Sequence, residues 1–278
     1  MRPRLVVGDV LGGAAAGLVL DLPDGAVRHL QVLRMQPGDE VWVLDGLGAG
    51  WVAAVQEMGR KVASVALREP LVRDVELPVR VTLVVGVPAN DRMDALVEKA
   101  TELGAWRVQP LLCERAVWRA DGARAEKKVA HWQGVAQAAA EQSGRMVVPV
   151  VAPVATFQGW AAAGGAAGTD GSQEMLVLDP RAERSLGEWL AARGYRDPAE
   201  GGGASQSASH SADQGQGQGP VPAPSLQVVS GPEGGLTEHE VAQLVKLGAT
   251  PVRLGPRVLR ADTAPLAMLA ILGAALER

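Results

Sequence analysis

From about Leu77 onward, the chain alternates between apolar runs and segments with helical periodicity, and this alternation constrains the fold most. Val79–Val87 is a continuous run rich in β-branched residues, which is typical of a parallel strand buried on both faces. Arg92–Leu103 follows with its apolar side chains on one helical face. Repeated strand–helix units predict an α/β fold in which helices cover a parallel sheet. Further strands are predicted at Val108–Leu112, Val147–Val151, Met175–Leu178, Leu226–Ser230 and Val252–Leu254, and further helices at Glu126–Ser143, Thr237–Leu247 and Leu266–Leu276.

The first part of the chain has a different pattern. Val41–Leu44 and Trp51–Val55 are short apolar runs on either side of a glycine-containing turn, and Val62–Leu67 is a third strand candidate. Short strands joined by turns predict a small β-rich module. We therefore predict two domains, residues 1–75 and residues 76–278.

A low-complexity segment interrupts the second domain at residues 197–225. It is rich in Gly, Ser, Gln and Pro and has almost no apolar side chains, so it cannot bury a core. We predict a disordered surface insertion. A binding tail is the alternative.

Cysteine content and charge limit the compartment and the partners. The chain has one cysteine, Cys113, and four scattered histidines, so neither an intramolecular disulfide nor a metal site is predicted. A reducing cytoplasm fits this composition, and no apolar run is long enough to predict a membrane span. The net charge of −4 counts against non-specific binding of nucleic acid, although residues 92–145 carry a small basic excess.

The sharpest motif is the glycine-rich run Ser230–Gly235, which lies between a predicted strand and a predicted helix. Thr237 and Glu240 form a capping-box pattern at the start of that helix. The run matches neither a dinucleotide-binding fingerprint nor a P-loop, and Glu233 would repel a phosphate. A neutral or cationic ligand therefore suits the loop better, and a purely structural turn is the alternative.

A second motif, Leu254–Ala264, links another predicted strand to the last helix. Arg260 lies beside apolar residues, and a partly buried guanidinium is suited to planar anionic groups. A surface arginine with a buried stem is the alternative. The helix Leu266–Leu276 is apolar nearly all round, which indicates either a central position or a subunit interface.

Two earlier helices carry a third group of polar residues, in Glu98–Gly104 and Ala140–Arg145. Glu98 and Glu102 are like charges four residues apart, which is mildly destabilising unless a cation or donor lies between them, and Lys99, Arg115 or Arg145 could serve. Taken alone, these residues are better explained as a solvated helix face.

Together the motifs resemble the RsmE family of 16S ribosomal RNA uracil-N3 methyltransferases. They occur in order through both predicted domains, from about Arg4 to the C-terminus, apart from the low-complexity insertion. The matching stretches are His29-Leu30 with Val32-Leu33-Arg34 and Gly38-Asp39, Glu98–Gly104, Glu141–Arg145, Gly231–Gly235 and Leu254–Ala264.

The resemblance implies an N-terminal PUA-like β-barrel that helps hold RNA. It also implies a C-terminal SPOUT domain, a deeply knotted parallel sheet with helices on both faces, and a homodimer. The cofactor S-adenosylmethionine would lie bent among three loops, of which the first is Leu178–Pro180. The implied cofactor-binding residues are Leu178, Gly231, Pro232, Glu233, Gly234, Gly235, Leu254, Gly255, Val258, Leu259, Arg260, Thr263 and Ala264. Asp262 and Asp179 depart from the family pattern, in which Glu and His are expected.

The implied reaction is methylation of N3 of a uridine in 16S rRNA of the small ribosomal subunit. The enzyme must assist loss of the imide proton and stabilise the resulting anion, and no covalent intermediate is needed. We predict Arg260, Glu98 and Glu141 as catalytic residues. We predict RNA contacts at Arg4, His29, Arg34 and Arg145. The alternatives are another SPOUT enzyme acting on tRNA or a 2′-hydroxyl, a non-catalytic assembly factor and, more distantly, a nucleotide-binding oxidoreductase.

Overall fold

The structure, a computed structural model, describes residues 2–8, 11–89, 92–119, 122–165, 173–194 and 224–276. The chain divides into two units. One comprises Met1–Glu76, Met93–Val108 and Ala120–Pro153, and the other Leu77–Arg92, Gln109–Arg119 and Val154–Arg278. Within the described ranges, no helix has the length and apolar character needed to cross a membrane. Most of the predicted insertion, residues 197–223, lies outside the described residues.

The first unit contains a five-stranded sheet in the order β1-β3-β4-β5-β2. Its strands and the helix beside them are β1 (Arg4–Val6), β2 (Val19–Asp21), α1 (Asp24–Val32), β3 (Glu40–Leu44), β4 (Gly50–Met58) and β5 (Ala63–Pro70). Alternate residues of the strands, such as Val41 and Val43, pack with Leu30 of α1 in one apolar core. The predicted β-rich module is therefore present as strands, and each predicted strand is longer than its apolar run.

Two helices and a short strand complete the first unit: α2 (Arg92–Glu102), α3 (Gly122–Ser143) and β8 (Val150–Val151). Trp132 of α3 is buried and donates its indole N–H to Asp94 Oδ1 of α2 at 2.9 Å. The strand predicted at Val147–Val151 is shorter in the structure, because Val147 forms an isolated antiparallel bridge with Leu47 instead.

The second sheet has the strand order β12-β10-β11-β6-β7-β8, and β9 also pairs with β7. The remaining strands are β6 (Arg80–Gly86), β7 (Arg107–Leu112), β9 (Ala155–Thr156), β10 (Gln173–Leu178), β11 (Ser225–Ser230) and β12 (Thr250–Val252). β10 pairs in parallel with both β11 and β12, and β11 pairs in parallel with β6. Parallel pairing brings the carboxyl ends of β10, β11 and β12 to one edge of the sheet. This arrangement confirms the predicted α/β class.

The helices of the second unit are α4 (Phe157–Ala162), α5 (Leu186–Ala191), α6 (Glu238–Lys246) and α7 (Thr263–Leu276). The predicted capping box at the start of α6 is confirmed, because Thr237 and Glu240 exchange side-chain and backbone hydrogen bonds. Helix α7 contacts β6 and β11, and its residues Met268, Leu269 and Leu272 are buried. Its opposite face is apolar and only partly covered.

Candidate functional site

Three loops meet where adjacent parallel strands end, after β10, β11 and β12. They enclose a cavity of about 690 Å³ in the second unit. Open α/β sheets bind ligands at this edge, and the volume is typical of a cofactor site. The lining residues are Arg92, Arg115, Leu178, Asp179, Pro180, Arg181, Ser230, Gly231, Pro232, Glu233, Gly235, Leu236, Val241, Val252, Leu254, Arg257, Val258, Leu259, Arg260, Ala261 and Ala264.

The loop after β11, residues 231–235, is packed so closely that two of its glycines are required. A Cβ atom on Gly231 would lie 2.7 Å from the backbone nitrogen of Leu236, and one on Gly234 would lie 2.8 Å from Cβ of Arg115. Side chains at these positions would push the loop away from its neighbours. The tight approach therefore fixes the backbone that faces the cavity.

Glu233, in the same loop, is held by the turn that follows β6. Its carboxylate accepts hydrogen bonds from the backbone N–H of Ala89 at 2.9 and 3.2 Å, and pairs with Arg92 Nη1 at 3.3 Å. The carboxylate is thus engaged by protein donors, so its main role in this geometry is to anchor the loop.

A buried carboxylate supports the loop from the other side. Glu240 is 1% exposed, and its Oε2 accepts from the N–H of Thr237 at 2.8 Å while Oε1 accepts from Glu114 at 2.9 Å. Glu240 therefore connects the start of α6 to the segment carrying Arg115. Burial, together with the charge of Glu240, raises the pKa of Cys113 to about 12. The thiol stays protonated at neutral pH, so it is not a nucleophile.

The loop after β10 presents an ionised carboxylate. Asp179 accepts hydrogen bonds from Arg181 Nε at 3.1 Å and from the Arg181 backbone at 2.9 Å. Burial acts to raise the pKa of Asp179, but the hydrogen bonds and charge of Arg181 outweigh it and lower the pKa. Asp179 stands where the sequence resemblance leads one to expect histidine, and here it carries a negative charge.

The loop after β12 carries several solvent-exposed side chains. Gly255 has a φ of +84°, Val258 is 82% exposed, and Arg257 and Arg260 are exposed side chains at the cavity. Arg260 was predicted to be partly buried, and the structure corrects this. Its carbonyl accepts from the N–H groups of Thr263 and Ala264, which starts α7.

Ten of the predicted cofactor-binding residues line this cavity: Leu178, Gly231, Pro232, Glu233, Gly235, Leu254, Val258, Leu259, Arg260 and Ala264. Gly234, Gly255 and Thr263 belong to the same loops but do not line it. Four lining arginines were not in the predicted set: Arg92, Arg115, Arg181 and Arg257. Each follows a predicted strand, so the strand-end position was the signal that could have identified them.

The other two predicted catalytic residues lie in the first unit and are not among the residues lining this cavity. Lys99 Nζ lies 2.8 Å from both Glu98 and Glu102, so it is the cation expected between them. The hydrogen bonds that Lys99 donates to Glu102 and Glu98 raise its pKa to about 12. This group is a solvated helix face.

Glu141 and Arg4 hold β1 against α3. The N–H of Val6 donates to Glu141 Oε1 at 2.9 Å, and Arg4 Nη1 donates to the Glu141 carbonyl at 3.0 Å. The Arg4 guanidinium also lies 5.7 Å from the ring of Trp42, and burial, with the charge of Arg73, lowers the pKa of Arg4. Both residues therefore have structural contacts within the first unit.

The RNA contact predicted at Arg145 is wrong. Arg145 is 4% exposed, pairs with Glu76, and donates to the carbonyls of Thr101 at 3.0 Å and Ala105 at 2.7 Å. Because its side chain is almost fully buried, Arg145 presents little surface to a phosphate. His29 is half-buried and lines a second cavity in the first unit. Arg34 is exposed, with a left-handed φ of +56°.

Comparisons with known proteins agree with this geometry. Residues 75–273 match the model of an RNA methyltransferase domain, and residues 22–67 match that of an RNA methyltransferase PUA domain. The Synechocystis protein "Ribosomal RNA small subunit methyltransferase E" is 34% identical, with 92% of this chain and 73% of that protein covered. Its Bacillus subtilis namesake is 31% identical, with 86% of this chain and 84% of that protein covered.

Solved structures of methyltransferases also resemble this chain. A Ribosomal RNA small subunit methyltransferase E from Neisseria gonorrhoeae bound to S-adenosylmethionine is 29% identical, with a TM-score of 0.78. The alignment covers 98% of this chain and 97% of that one. A methyltransferase from Legionella pneumophila with bound S-adenosylmethionine is 25% identical, with a TM-score of 0.75 and coverage of 99% and 97%.

The parallel sheet, the three loops at its edge and the matched domain models define an RNA methyltransferase of the SPOUT type with an N-terminal PUA-like domain. Within that class, the chain belongs to the ribosomal RNA small subunit methyltransferase E family.

Proposed function

We propose that this protein methylates N3 of a uridine in 16S rRNA of the small ribosomal subunit, using S-adenosylmethionine. The observation that carries the proposal is the cavity formed by three loops at the ends of β10, β11 and β12, in a chain of this family. Its walls hold most of the residues predicted for the cofactor, on loops whose positions are fixed by close packing and hydrogen bonds.

The lining of the cavity fits S-adenosylmethionine. Apolar side chains such as Leu178, Leu236 and Leu254 suit the flat adenine ring, and close backbone at residues 231–235 can supply hydrogen bonds. Asp179 offers an ionised carboxylate to a ligand with positive groups. When bound, the cofactor supplies an electrophilic methyl group.

The residues of the chain have to prepare the uracil for attack. At neutral pH the imide N3 carries a proton and is a weak nucleophile, so negative charge on the base must be stabilised as the proton leaves. Arg260 is exposed at the cavity, and its guanidinium can donate two hydrogen bonds to one planar anion. We therefore keep Arg260 as the catalytic candidate, and we withdraw Glu98 and Glu141, whose carboxylates have structural partners.

The test is to incubate the protein with S-adenosylmethionine and small ribosomal subunits lacking the modification, and to search digested rRNA for 3-methyluridine by mass spectrometry. We expect that nucleoside with wild-type protein and with Lys246→Ala, which removes an exposed cation that does not line the cavity. A methyl group on another base or on a ribose would overturn the N3 assignment. Binding of RNA without any transfer would favour a non-catalytic assembly factor.

We also propose a homodimer formed through α7. The helix has no charged residue between Thr263 and Leu276, and its outer face carries Leu266, Ile271 and Ala274 with partial or full exposure. An uncovered apolar face of this kind favours burial against a second copy. Ile271→Glu should convert the dimer to monomer in light scattering, whereas a wild-type protein that is itself monomeric would contradict the proposal.

The division of labour between the domains is also a proposal. Residues 1–75 would help hold RNA through Arg34 and His29, and residues 76–278 would carry the reaction. The exposed position of Arg34 supports this role. A cytoplasmic location is proposed from the reaction and from the single, buried cysteine.

A further inference from the structure

The cavity is lined by more positive than negative side chains, although the chain as a whole carries a net charge of −4. Five arginines face two carboxylates, which leaves an excess of three positive charges. The charged lining residues are Arg92, Arg115, Arg181, Arg257, Arg260, Asp179 and Glu233. A concentration of one sign in an acidic protein indicates a partner of the opposite sign.

The cofactor does not account for this excess. S-adenosylmethionine has a sulfonium, an ammonium and one carboxylate, so it carries more positive than negative charge at neutral pH. Its carboxylate needs one cation at most, and the remaining arginines would repel it. The arginines therefore match the second substrate, whose phosphates form a polyanion.

The arginines differ in how many hydrogen bonds and ion pairs they form within the protein. Arg181 has two nitrogens 3.1 Å from the two Asp179 oxygens, so its charge is paired. Arg92 and Arg115 each donate one hydrogen bond to the 231–235 loop, to Glu233 at 3.3 Å and to the Gly234 carbonyl at 3.2 Å. A guanidinium has five N–H donors, so most donors on these two side chains lie outside those bonds.

Arg257 lies on the opposite loop, after β12, and is exposed. Arg115 is exposed as well, and the Arg92 side chain is 38% exposed. The cavity is thus flanked by accessible guanidinium groups from three segments, which follow β6, β7 and β12. Those of Arg92 and Arg115 are partly immobilised by their hydrogen bonds to the 231–235 loop. Donors held in place before binding lose less conformational entropy when a ligand arrives.

We propose that Arg92, Arg115 and Arg257 form a phosphate-binding rim that holds the rRNA backbone next to the base being methylated. This inference rests on the proposed function and deepens it. It locates RNA contacts in the second unit, at the entrance to the reaction cavity. Glu233 then has two roles: it anchors the cofactor loop, and it orients the rim through Arg92.

The test is equilibrium binding of the full chain to small ribosomal subunits lacking the modification, measured across a series of KCl concentrations. The variants are Arg115→Gln, Arg257→Gln and the double mutant, with Lys246→Gln as a matched loss of charge outside the cavity. Each rim variant should raise the Kd about fivefold near 0.15 M salt and lower the slope of log K against log salt by about 0.8. Lys246→Gln should change neither quantity, and Arg257→Lys should recover most of the slope.

Calorimetry on the same proteins gives the affinity for S-adenosylmethionine. This measurement distinguishes arginines that bind RNA from arginines that bind the cofactor. We expect its Kd to stay within about twofold of wild type for Arg257→Gln, because the charge serves the RNA. Weaker cofactor binding with an unchanged salt slope would overturn the inference and assign these arginines to the cofactor. The binding assay needs no turnover, so absence of 3-methyluridine would refute the proposed function while the salt slopes still decide on the rim.

Discussion

The loops of the second unit and the polar helices of the first unit carry similar charged residues but use them differently. At the cavity, Arg257 and Arg260 are exposed on a loop that follows a strand. In the first unit, Arg145 is buried against Glu76, and Arg4 donates to carbonyls at the end of α3. The same residue type is thus exposed at a cavity in one region and engaged by the fold in the other.

The difference follows from which backbone carbonyl groups lack a hydrogen-bond partner within their own element. The ends of α2 and α3 present carbonyl groups without helical partners, and Arg145 donates to that of Thr101 while Arg4 donates to that of Glu141. At the sheet edge Arg115 also donates to a backbone carbonyl, that of Gly234, but its side chain is exposed, so it keeps further donors for a ligand. An exposed arginine at a strand end is therefore stronger evidence for function than a buried arginine in a family motif.

The largest effect on stability is expected for Arg145→Met. It leaves the Glu76 carboxylate and the carbonyls of Thr101 and Ala105 without their cationic partner, which should lower the free energy of unfolding by about 3 kcal/mol. Arg260→Met, at an exposed position, should change it by less than about 0.5 kcal/mol. Urea unfolding measures both, and equal losses would contradict the distinction between the two regions.

The largest effect on catalysis is expected for Arg260→Ala. Removing a donor that stabilises a developing anion should lower kcat about a hundredfold at saturating substrates. Glu98→Gln and Glu141→Gln should retain turnover within about twofold per folded molecule. Their carboxylates contact Lys99 and the Val6 N–H within the first unit and do not line the cavity. Loss of turnover in Glu141→Gln without loss of stability would restore that residue to the catalytic set.

The strands, the helices and the capping box could be predicted from the residues themselves, because each is marked by neighbours within a few positions, whereas the three cofactor loops were implied by the family resemblance. A glycine run between a strand and a helix, or Thr237 with Glu240 three positions on, is local information. The positions of Glu98 and Lys99 on one solvated face were also accessible from helical spacing.

Which arginines form structural contacts could not be predicted from such local patterns. Arg145 and Glu76 are 69 residues apart, and Arg4 is 137 residues from the carbonyl it contacts, so nothing in the local pattern marks either as buried. The motif containing Arg145 suggested a ligand contact, whereas packing gave it a structural role. Arg115 and Arg257 do follow predicted strands, and that position was the local signal for their place at the cavity. Nothing in the sequence, however, shows that their side chains are exposed there.

A smaller effect is expected for Glu240→Gln, which tests how the cofactor loop is supported. The amide nitrogen would face the N–H of either Thr237 or Glu114, so one buried hydrogen bond is lost at a cost of about 1–2 kcal/mol. Because Arg115 and the 231–235 loop adjoin this contact, the Kd for S-adenosylmethionine should rise a few-fold in calorimetry. Glu238→Gln, whose side chain is 90% exposed, is the matched control and should change neither quantity. An unaltered cofactor affinity in a destabilised Glu240→Gln would limit Glu240 to a structural role.

The smallest effect is expected at Cys113, the buried thiol beside Glu240. Because its pKa in the folded protein is about 12, above the ordinary value of 9.0, the unfolded chain loses this proton first as the pH rises. The contribution of Cys113 to stability is therefore complete below pH 9 and declines between pH 9 and 12. In Cys113→Ala, the free energy of unfolding should decline less between pH 9 and 12 than in the wild type. The substitution should lower the free energy of unfolding at pH 7 by about 1 kcal/mol or less. Turnover per folded molecule should stay unchanged. Rapid alkylation of native Cys113 at pH 8, or loss of turnover in folded Cys113→Ala, would show that the thiol is neither inert nor separate from the reaction.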